Sequence, residues 1–337
     1  LKKRIPNTPQ NYKDRLEYEI NVIEHMKYCG YFLIVQDFIN FAKNNNIPVG
    51  LGRGSAAGSL VACAMNITDI DPIKYGLLFE RFLNEDRVSY PDIDSDFSKK
   101  DRPKVLEYVK NKYGSNCVSK IIDITRLMPR NAVRDVARVM GYPYNVGDKI
   151  SKAIPDSAKT LKSAMDTSPE LQELYKQPEV KQIFDTACKI EGLPRGVSVH
   201  ACGVLIAPSD VSDFMPQEIA TDRETGEKVW VTQYPGPQCE EMGLLKMDFL
   251  GLRTLDVIDS ACHNINEYEG VKVTFSQIPI NDPKIYMTLK NGKTSGVFQL
   301  ESQGMTNMLH EMYYDVSEKD TEGKGNEHFD RLIAAVA

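Results

Sequence analysis

The chain has 337 residues, 42% hydrophobic and 26% charged, with a net charge of −6. That length suits two or three globular domains, and no apolar run approaches the roughly 18 residues of a membrane span, so a membrane-spanning helix is not expected. The opening LKKRIPNTPQ lacks the apolar core of a signal peptide. The seven scattered cysteines form no CxxC pair, which argues against a zinc module or a disulfide framework and predicts a cytoplasmic setting.

In chain order, NYKDRLEYEINVIEHMKYCGYFLIVQDFINFAKNNN carries Leu16, Ile20 and Ile23, then Phe32, Val35, Phe38 and Ile39, at helical spacing. A break near Cys29 and Gly30 divides it into two amphipathic helices. IPVG reads as a short strand entering the glycine-rich LGRGSAAGS, and LVACAM continues as a helix. SYPDIDSDF reads as a strand, RPKVLEYVKNKYG as a helix closed by Gly114, and NCVSKIIDI as a further strand. From Arg126 to about Val199 the pattern is almost wholly helical, with no credible strand. Strands return in HACGVLIAP, KVWVTQY and GLLKMDFLGL, and helices resume from about Thr254. Charge is segregated: Ser98 to Ile150 holds 12 Lys and Arg against 5 Asp and Glu, a local +7 that leaves −13 for the rest. The chain opens without methionine and stops inside the apolar pattern RLIAAVA, so a piece of a longer protein is expected.

Three stretches carry candidate chemistry. In an extended SYPDIDSDF, Asp92, Asp94 and Asp96 share one face while Ile93, Ser95 and Phe97 take the other. Carboxylates about 6.6 Å apart repel by about 2.5 kcal/mol per ionised pair at an effective dielectric of 20. A divalent cation would remove that cost; a solvated surface loop is the plainer reading. A calcium-binding EF-hand loop is excluded, since Phe97 and Pro103 stand where it needs glycine and glutamate. In GLGRGSAAGS, between a strand and a helix, backbone amides and the helix dipole suit a phosphate. A Walker loop is excluded because no lysine ends it. Gly52, Gly54 and Ala57 satisfy GxGxxG/A, but the acidic residue about 20 positions on, Asp71, stands in a turn before Pro72 rather than at a strand end. A Gly-Ser pair cradling a triphosphate is the third reading. In LLKMDFLGL, Lys246 and Asp248 project together from a strand whose other face is Leu245, Met247 and Phe249. Such a pair is ordinarily a weak surface ion pair, but apolar flanks weaken that reading. His200 and Cys202, two apart with no second ligand pair, fit a strand-end histidine and a buried thiol better than a metal site.

These pieces together resemble the DnaE-type alpha subunit of bacterial DNA polymerase III, the C-family replicative polymerases. GYFLIVQDFINFAK, IPVGLGRGSAAGSLVACAMNITDIDPIKYGLLFERFLN, VSYPDIDSDF, AVRDVARVMG, HACGVLIAP, LLKMDFLGLRTLDVI and VFQLESQGM are similar to family blocks, in the family's order, over nearly the whole chain. The resemblance implies an α+β fold: a polymerase-beta-like nucleotidyltransferase palm of mixed sheet and helices, with an inserted all-helical thumb and a helical start of the fingers. It places the palm at 1–123 and 202–252, the thumb at 124–201 and the truncated fingers at 253–337. It implies template-directed DNA synthesis with two magnesium ions held by Asp92, Asp94 and Asp248, the last orienting the primer 3′-hydroxyl. Gly54 and Ser55 match the triphosphate-binding pair, with Arg53 and Lys246 as nearby cations. Partners would be primer-template DNA, deoxynucleoside triphosphates and, in the complete protein, the sliding clamp and other replisome subunits, with no membrane.

The chain departs from the family pattern in two places. Ile124, Thr125 and Arg126 stand where a Phe-Gly-Thr run is usual, and Cys202 replaces a usual glycine in HACG. In RLMPRNAVRDVARVMG, Arg130, Arg134 and Arg138 form one helical stripe expected to meet DNA phosphates, with Asp135 partly neutralising it. Two alternatives remain open at this point: a fragment that grips primer-template without turnover, and an untemplated nucleotidyltransferase with the same palm chemistry.

Overall fold

The structure, a computed structural model, describes residues 4–5, 7–85, 91–274, 278–317 and 319–336. Two compact units divide the chain. The first comprises Leu1–Asn40, Leu51–Ser95 and Lys104–Leu250, and the second Phe41–Gly50, Asp96–Pro103 and Gly251–Ala337.

Helices α1 (Gln10–His25) and α2 (Cys29–Asn44) part where the sequence breaks. A 3-10 turn at Gly54–Gly58 then leads into the short helix α3 (Leu60–Ala64). Strand β1 (Ser95–Ser98), helix α4 (Arg102–Tyr113) and strand β2 (Val118–Arg126) follow. Gly114 ends α4 at a φ of 100°, a conformation that costs glycine least. Asp37 of α2 accepts from the Tyr108 and Tyr113 hydroxyls and from Lys112, which fixes α2 against α4.

Helices α5 (Pro129–Val139), α6 (Tyr144–Lys152), α7 (Leu161–Thr167), α8 (Pro169–Tyr175) and α9 (Pro178–Ile190) pack on their own core of Val133, Val136, Ile150, Leu161, Ile183 and Phe184. Strand β3 (Pro194–Ile206) returns antiparallel to β2, so the helical insertion begins and ends on paired strands. Strands β4 (Gln217–Thr221) and β5 (Lys228–Thr232) form a hairpin, and α10 (Gly236–Glu241) leads to strand β6 (Leu245–Leu252). The six strands form one mixed sheet in the order β1-β6-β3-β2-β5-β4, with β2 parallel to β5. Ile121, Leu205, Val211, Met215, Cys239 and Leu244 pack together against it. In the second unit, α11 (Arg253–Tyr268), α12 (Pro283–Lys290), α13 (Gln303–Met312) and α14 (Glu322–Val336) follow. Tyr286, Leu289, Leu309 and Tyr313 form its core.

Four expectations need correction. The strand read over SYPDIDSDF is confined to Ser95–Ser98; Ser89 and Tyr90 lie outside the described residues. Pro91 has no N–H to give a ladder, and the Ile93 N–H goes to the Tyr31 hydroxyl instead of a neighbouring strand. IPVG contributes only an isolated bridge, Val49 to Phe97. The helical stretch read to Val199 ends at Ile190, because β3 starts at Pro194 with an exposed half whose residues show no burial alternation. Strand β4 and helix α10 were not anticipated in QEIAT and GPQCEE, which are too short for periodicity to register.

Candidate active site

Burial of alternate residues aims the acidic side chains. Ile93 is 2% exposed, its amide held 2.9 Å from the Tyr31 hydroxyl, so Asp92 and Asp94 on either side of it face the other way. On β6, Met247 and Phe249 are buried, and the Phe249 ring packs on Phe38 with centroids 4.7 Å apart. Lys246 and Asp248 therefore leave the opposite face. The two segments, about 150 positions apart, bring together oxygens of Asp92, Asp94 and Asp248 that all lie within 4.8 Å of one another. At that spacing each ionised pair repels by about 3.5 kcal/mol at an effective dielectric near 20, less where water screens.

Two cations offset part of that repulsion. Lys246 Nζ lies 2.5 Å from Asp248 Oδ2 and 3.9 Å from Asp92 Oδ1, and Arg53 Nε lies 3.7 Å from Asp94 Oδ2. Burial alone would lower the Lys246 pKa, but its hydrogen bond to Asp248 and the charges of Asp248, Asp92 and Glu240 outweigh burial and raise it. Partial burial pushes the Asp92 carboxyl above its ordinary range; Lys246 opposes this and the charges of Asp248 and Asp94 add to it. Water screens much of that rise, since the Asp92 side chain is 62% exposed. Glu240 on α10 is also raised, by burial first, with Lys246 opposing and Asp92 and Asp248 adding. The Asp248 side chain is 10% exposed, and its Oδ1 is buried with no hydrogen-bond partner among the described residues. An orphaned carboxylate oxygen beside two further carboxylates is a donor set suited to a hard divalent cation.

The glycine-rich turn is shaped by backbone proximity. Gly54 has a φ of 58°, and a Cβ on Gly58 would lie 2.7 Å from Leu78 O. Ser55 is exposed on this turn, and Arg53 immediately before it reaches Asp94. The expectation that the following helix offers its N-terminus to a phosphate is corrected. Buried Glu19 accepts from Leu60 N and Val61 N, both at 3.0 Å, and the Ser59 hydroxyl accepts from Ala62 N. The first-turn donors and dipole of α3 are thus already met by a carboxylate. Any anion must be held by the turn itself and by Arg53.

Sequence reasoning missed Glu19 and Tyr31, which act from distant elements, and Glu240 on α10, the short helix just before β6. Asp92, His200, Glu240 and Lys246 border an open cleft of about 700 Å³. The aspartate trio is the one potential metal-holding group among the described residues; His200 and Cys202 belong to none.

Residues 1–251 match the family model described as "Bacterial DNA polymerase III alpha NTPase domain", and residues 254–316 match "Bacterial DNA polymerase III alpha subunit finger domain". The chain belongs to the bacterial DNA polymerase III alpha family. It is 48% identical to DNA polymerase III subunit alpha of Aquifex aeolicus over 97% of this chain and 29% of that protein. The subunit of Neisseria meningitidis serogroup B is 46% identical over 88% of the chain and 26% of its own length. For Escherichia coli K12 the values are 45%, 94% and 27%. The chain thus spans between a quarter and a third of the length of these relatives. No helix among the described residues is long and apolar enough to cross a membrane.

The arginine stripe lies on α5, largely committed to partners in its own helical region. Arg130 donates to Ile154 O, a carbonyl just past the end of α6, and lies 2.5 Å from Asp156. Arg134 lies 3.2 Å from Asp148. Arg138, 76% exposed, lies 3.4 Å from Asp135, which Arg195 also engages at 2.8 Å.

Proposed function

We propose that the chain carries the palm, thumb and start of the fingers of a template-directed DNA polymerase that joins a deoxynucleoside triphosphate to a primer 3′-hydroxyl. Residues 1–123 and 202–252 form the polymerase-beta-like palm, 124–201 the thumb, and 253 onward the fingers. Support for the thumb comes from the helices α5–α9, which run between the paired strands β2 and β3. The observation that carries the reading is the convergence of Asp92, Asp94 and Asp248, with an oxygen on Asp248 that is buried and has no partner among the described residues.

Asp92, Asp94 and Asp248 would hold two magnesium ions, which when bound stabilise the attacking and departing oxygens of an in-line displacement. Lys246 grips one oxygen of Asp248, the other is buried without a hydrogen-bond partner among the described residues, and Asp248 orients the primer hydroxyl. Gly54 and Ser55 hold the triphosphate, with Arg53 and Lys246 neutralising its charge. Arg138, with lesser contributions from Arg130 and Arg134, meets primer-template phosphates. The complete protein works in the cytoplasm and engages the sliding clamp and other replisome subunits.

Single-nucleotide incorporation on a primer-template, with an untemplated control, tests the reading in the complete polymerase. Asp248→Asn is expected to lower the rate by at least about 10²- to 10³-fold, the scale of removing a charge-stabilising group at the reacting centre. Parental rates in that variant would overturn it.

A further inference from the structure

Beside the acidic trio, β2 and β3 fall out of register. Lys120 pairs with Val204 and Ile122 with Val199, so His200–Gly203 lie opposite Ile121 alone. A bulge of this kind releases backbone amides from the ladder and re-aims side chains. One ring nitrogen collects two of those amides: His200 Nδ1 accepts from Gly203 N at 2.7 Å and from Cys202 N at 3.3 Å. Gly203 is the partner of Asp248 across the β3–β6 ladder. A Cβ on Gly203 would lie 2.9 Å from His200 Nδ1 and 3.2 Å from Ile121 Cδ1, so the ring is seated closely against its own strand.

With Nδ1 serving as acceptor, the neutral ring carries its proton on Nε2. That edge of the ring points away from the bulge, and His200 borders the cleft shared with Asp92 and Lys246. None of the described residues 50–58 lines this cleft, so a triphosphate on the Gly-Ser turn leaves it open. Ile121, Ile122, Pro235 and Pro237 give it apolar walls; Lys246 is its one cation among the described residues, against the carboxylates of Asp92, Asp123, Glu240 and Glu241, so the cleft away from Lys246 disfavours a phosphate. What fits beside the carboxylates is the uncharged sugar and base of a nucleotide.

Resting on the polymerase reading above, we propose that His200 positions the primer's terminal nucleoside. Its Nε2–H donates to an acceptor on the minor-groove side, either the sugar ring oxygen or the O2/N3 position that every base presents. The bulge and the tautomer thereby hold a fixed donor one strand away from Asp248.

Two isosteres separate the ring's two jobs in the complete polymerase. In H200N the amide oxygen replaces Nδ1 and keeps the cap on Cys202 and Gly203, but nothing replaces Nε2–H. In H200Q the amide nitrogen falls near Nε2, and the cap is lost. Rapid-quench incorporation is expected to show H200N with parental melting temperature and nucleotide affinity but a maximal rate about tenfold lower, the scale of one hydrogen bond. H200Q should melt lower and recover most of the rate. Independently of any variant's folding, parent polymerase should slow comparably on a primer whose terminal nucleotide has its ring oxygen or its N3 acceptor replaced by carbon. Parental rates in H200N with impairment only in H200Q would leave the histidine a staple of the bulge and overturn the proposal. So would a loss of nucleotide affinity in place of rate, or indifference to both primer analogues. If Asp248→Asn abolishes incorporation while H200N does not slow it, only this inference fails; parental activity in Asp248→Asn removes the reading beneath it.

Discussion

Glu19→Gln probes whether a buried carboxylate holds the glycine-rich turn in shape. Glu19 is 0% exposed, and its oxygens accept from Ser59 Oγ at 2.9 Å, from Leu60 N and Val61 N at 3.0 Å, and from Arg15 Nε at 2.7 Å. Arg15 also donates to Gly58 O and Leu77 O, so the pair ties α1 to the turn and to the segment beneath it. Glutamine keeps the shape but has a single acceptor oxygen. Whichever way its amide is turned, the amide of Leu60 or of Val61 faces another donor. One buried unmet donor costs about 1–3 kcal/mol, and the lost charge assistance on the remaining bonds about 1 more. The variant should therefore open more readily by about 2–4 kcal/mol, and amide hydrogen exchange at Leu60 and Val61 should accelerate about 30- to 700-fold. A change below about threefold would refute the reasoning, because a cap worth so little could not shape the turn.

Lys246→Met removes the cation beside Asp248 and should cost about 2 kcal/mol in thermal unfolding without divalent ions, with added Mg2+ restoring much of it; a loss that Mg2+ leaves untouched would contradict the trio's role. Arg138→Gln should flatten the salt dependence of DNA binding by up to about 0.9 log units, and an unchanged slope would show that this exposed arginine meets no phosphate. The hydrogen bond from Arg331 holds the Asp315 carboxyl below its ordinary range. Its stabilising contribution is present above the unfolded carboxylate pKa of about 3.9 and disappears as pH falls through the lower folded value. Asp315→Asn should make acid unfolding of the second unit shallower below about pH 4; superimposable profiles would remove the pair from the account.

The alternation around Asp92, Asp94 and Asp248 was legible because strand geometry aims side chains even where no ladder forms. Ile93, Met247 and Phe249 are buried as their spacing predicts, although Asp92 and Asp94 precede the strand proper. The partners across the chain were not legible. Tyr31 claims the Ile93 amide from 62 positions away, and Glu19 caps α3 from about 40, and neither tyrosine nor glutamate in an amphipathic helix announces such a role. The arginine stripe was legible as a stripe. Its neutralisation by Asp148 and Asp156 was not, since both reach it from helix α6 and the segment after it. Likewise HACG gave a strand with a histidine, while the bulge whose amides hold the ring nitrogen depends on the register of β2.

The central claim is that three carboxylates from two distant segments bind divalent metal. Anomalous scattering from a crystal of the protein soaked in Mn2+, which takes the same oxygen donors as Mg2+, tests it most directly. A peak ligated by Asp92, Asp94 and Asp248, with the present orphan Asp248 Oδ1 among its ligands, is the predicted result. Ordered carboxylates with no peak between them, or a peak ligated by other residues alone, would contradict the claim.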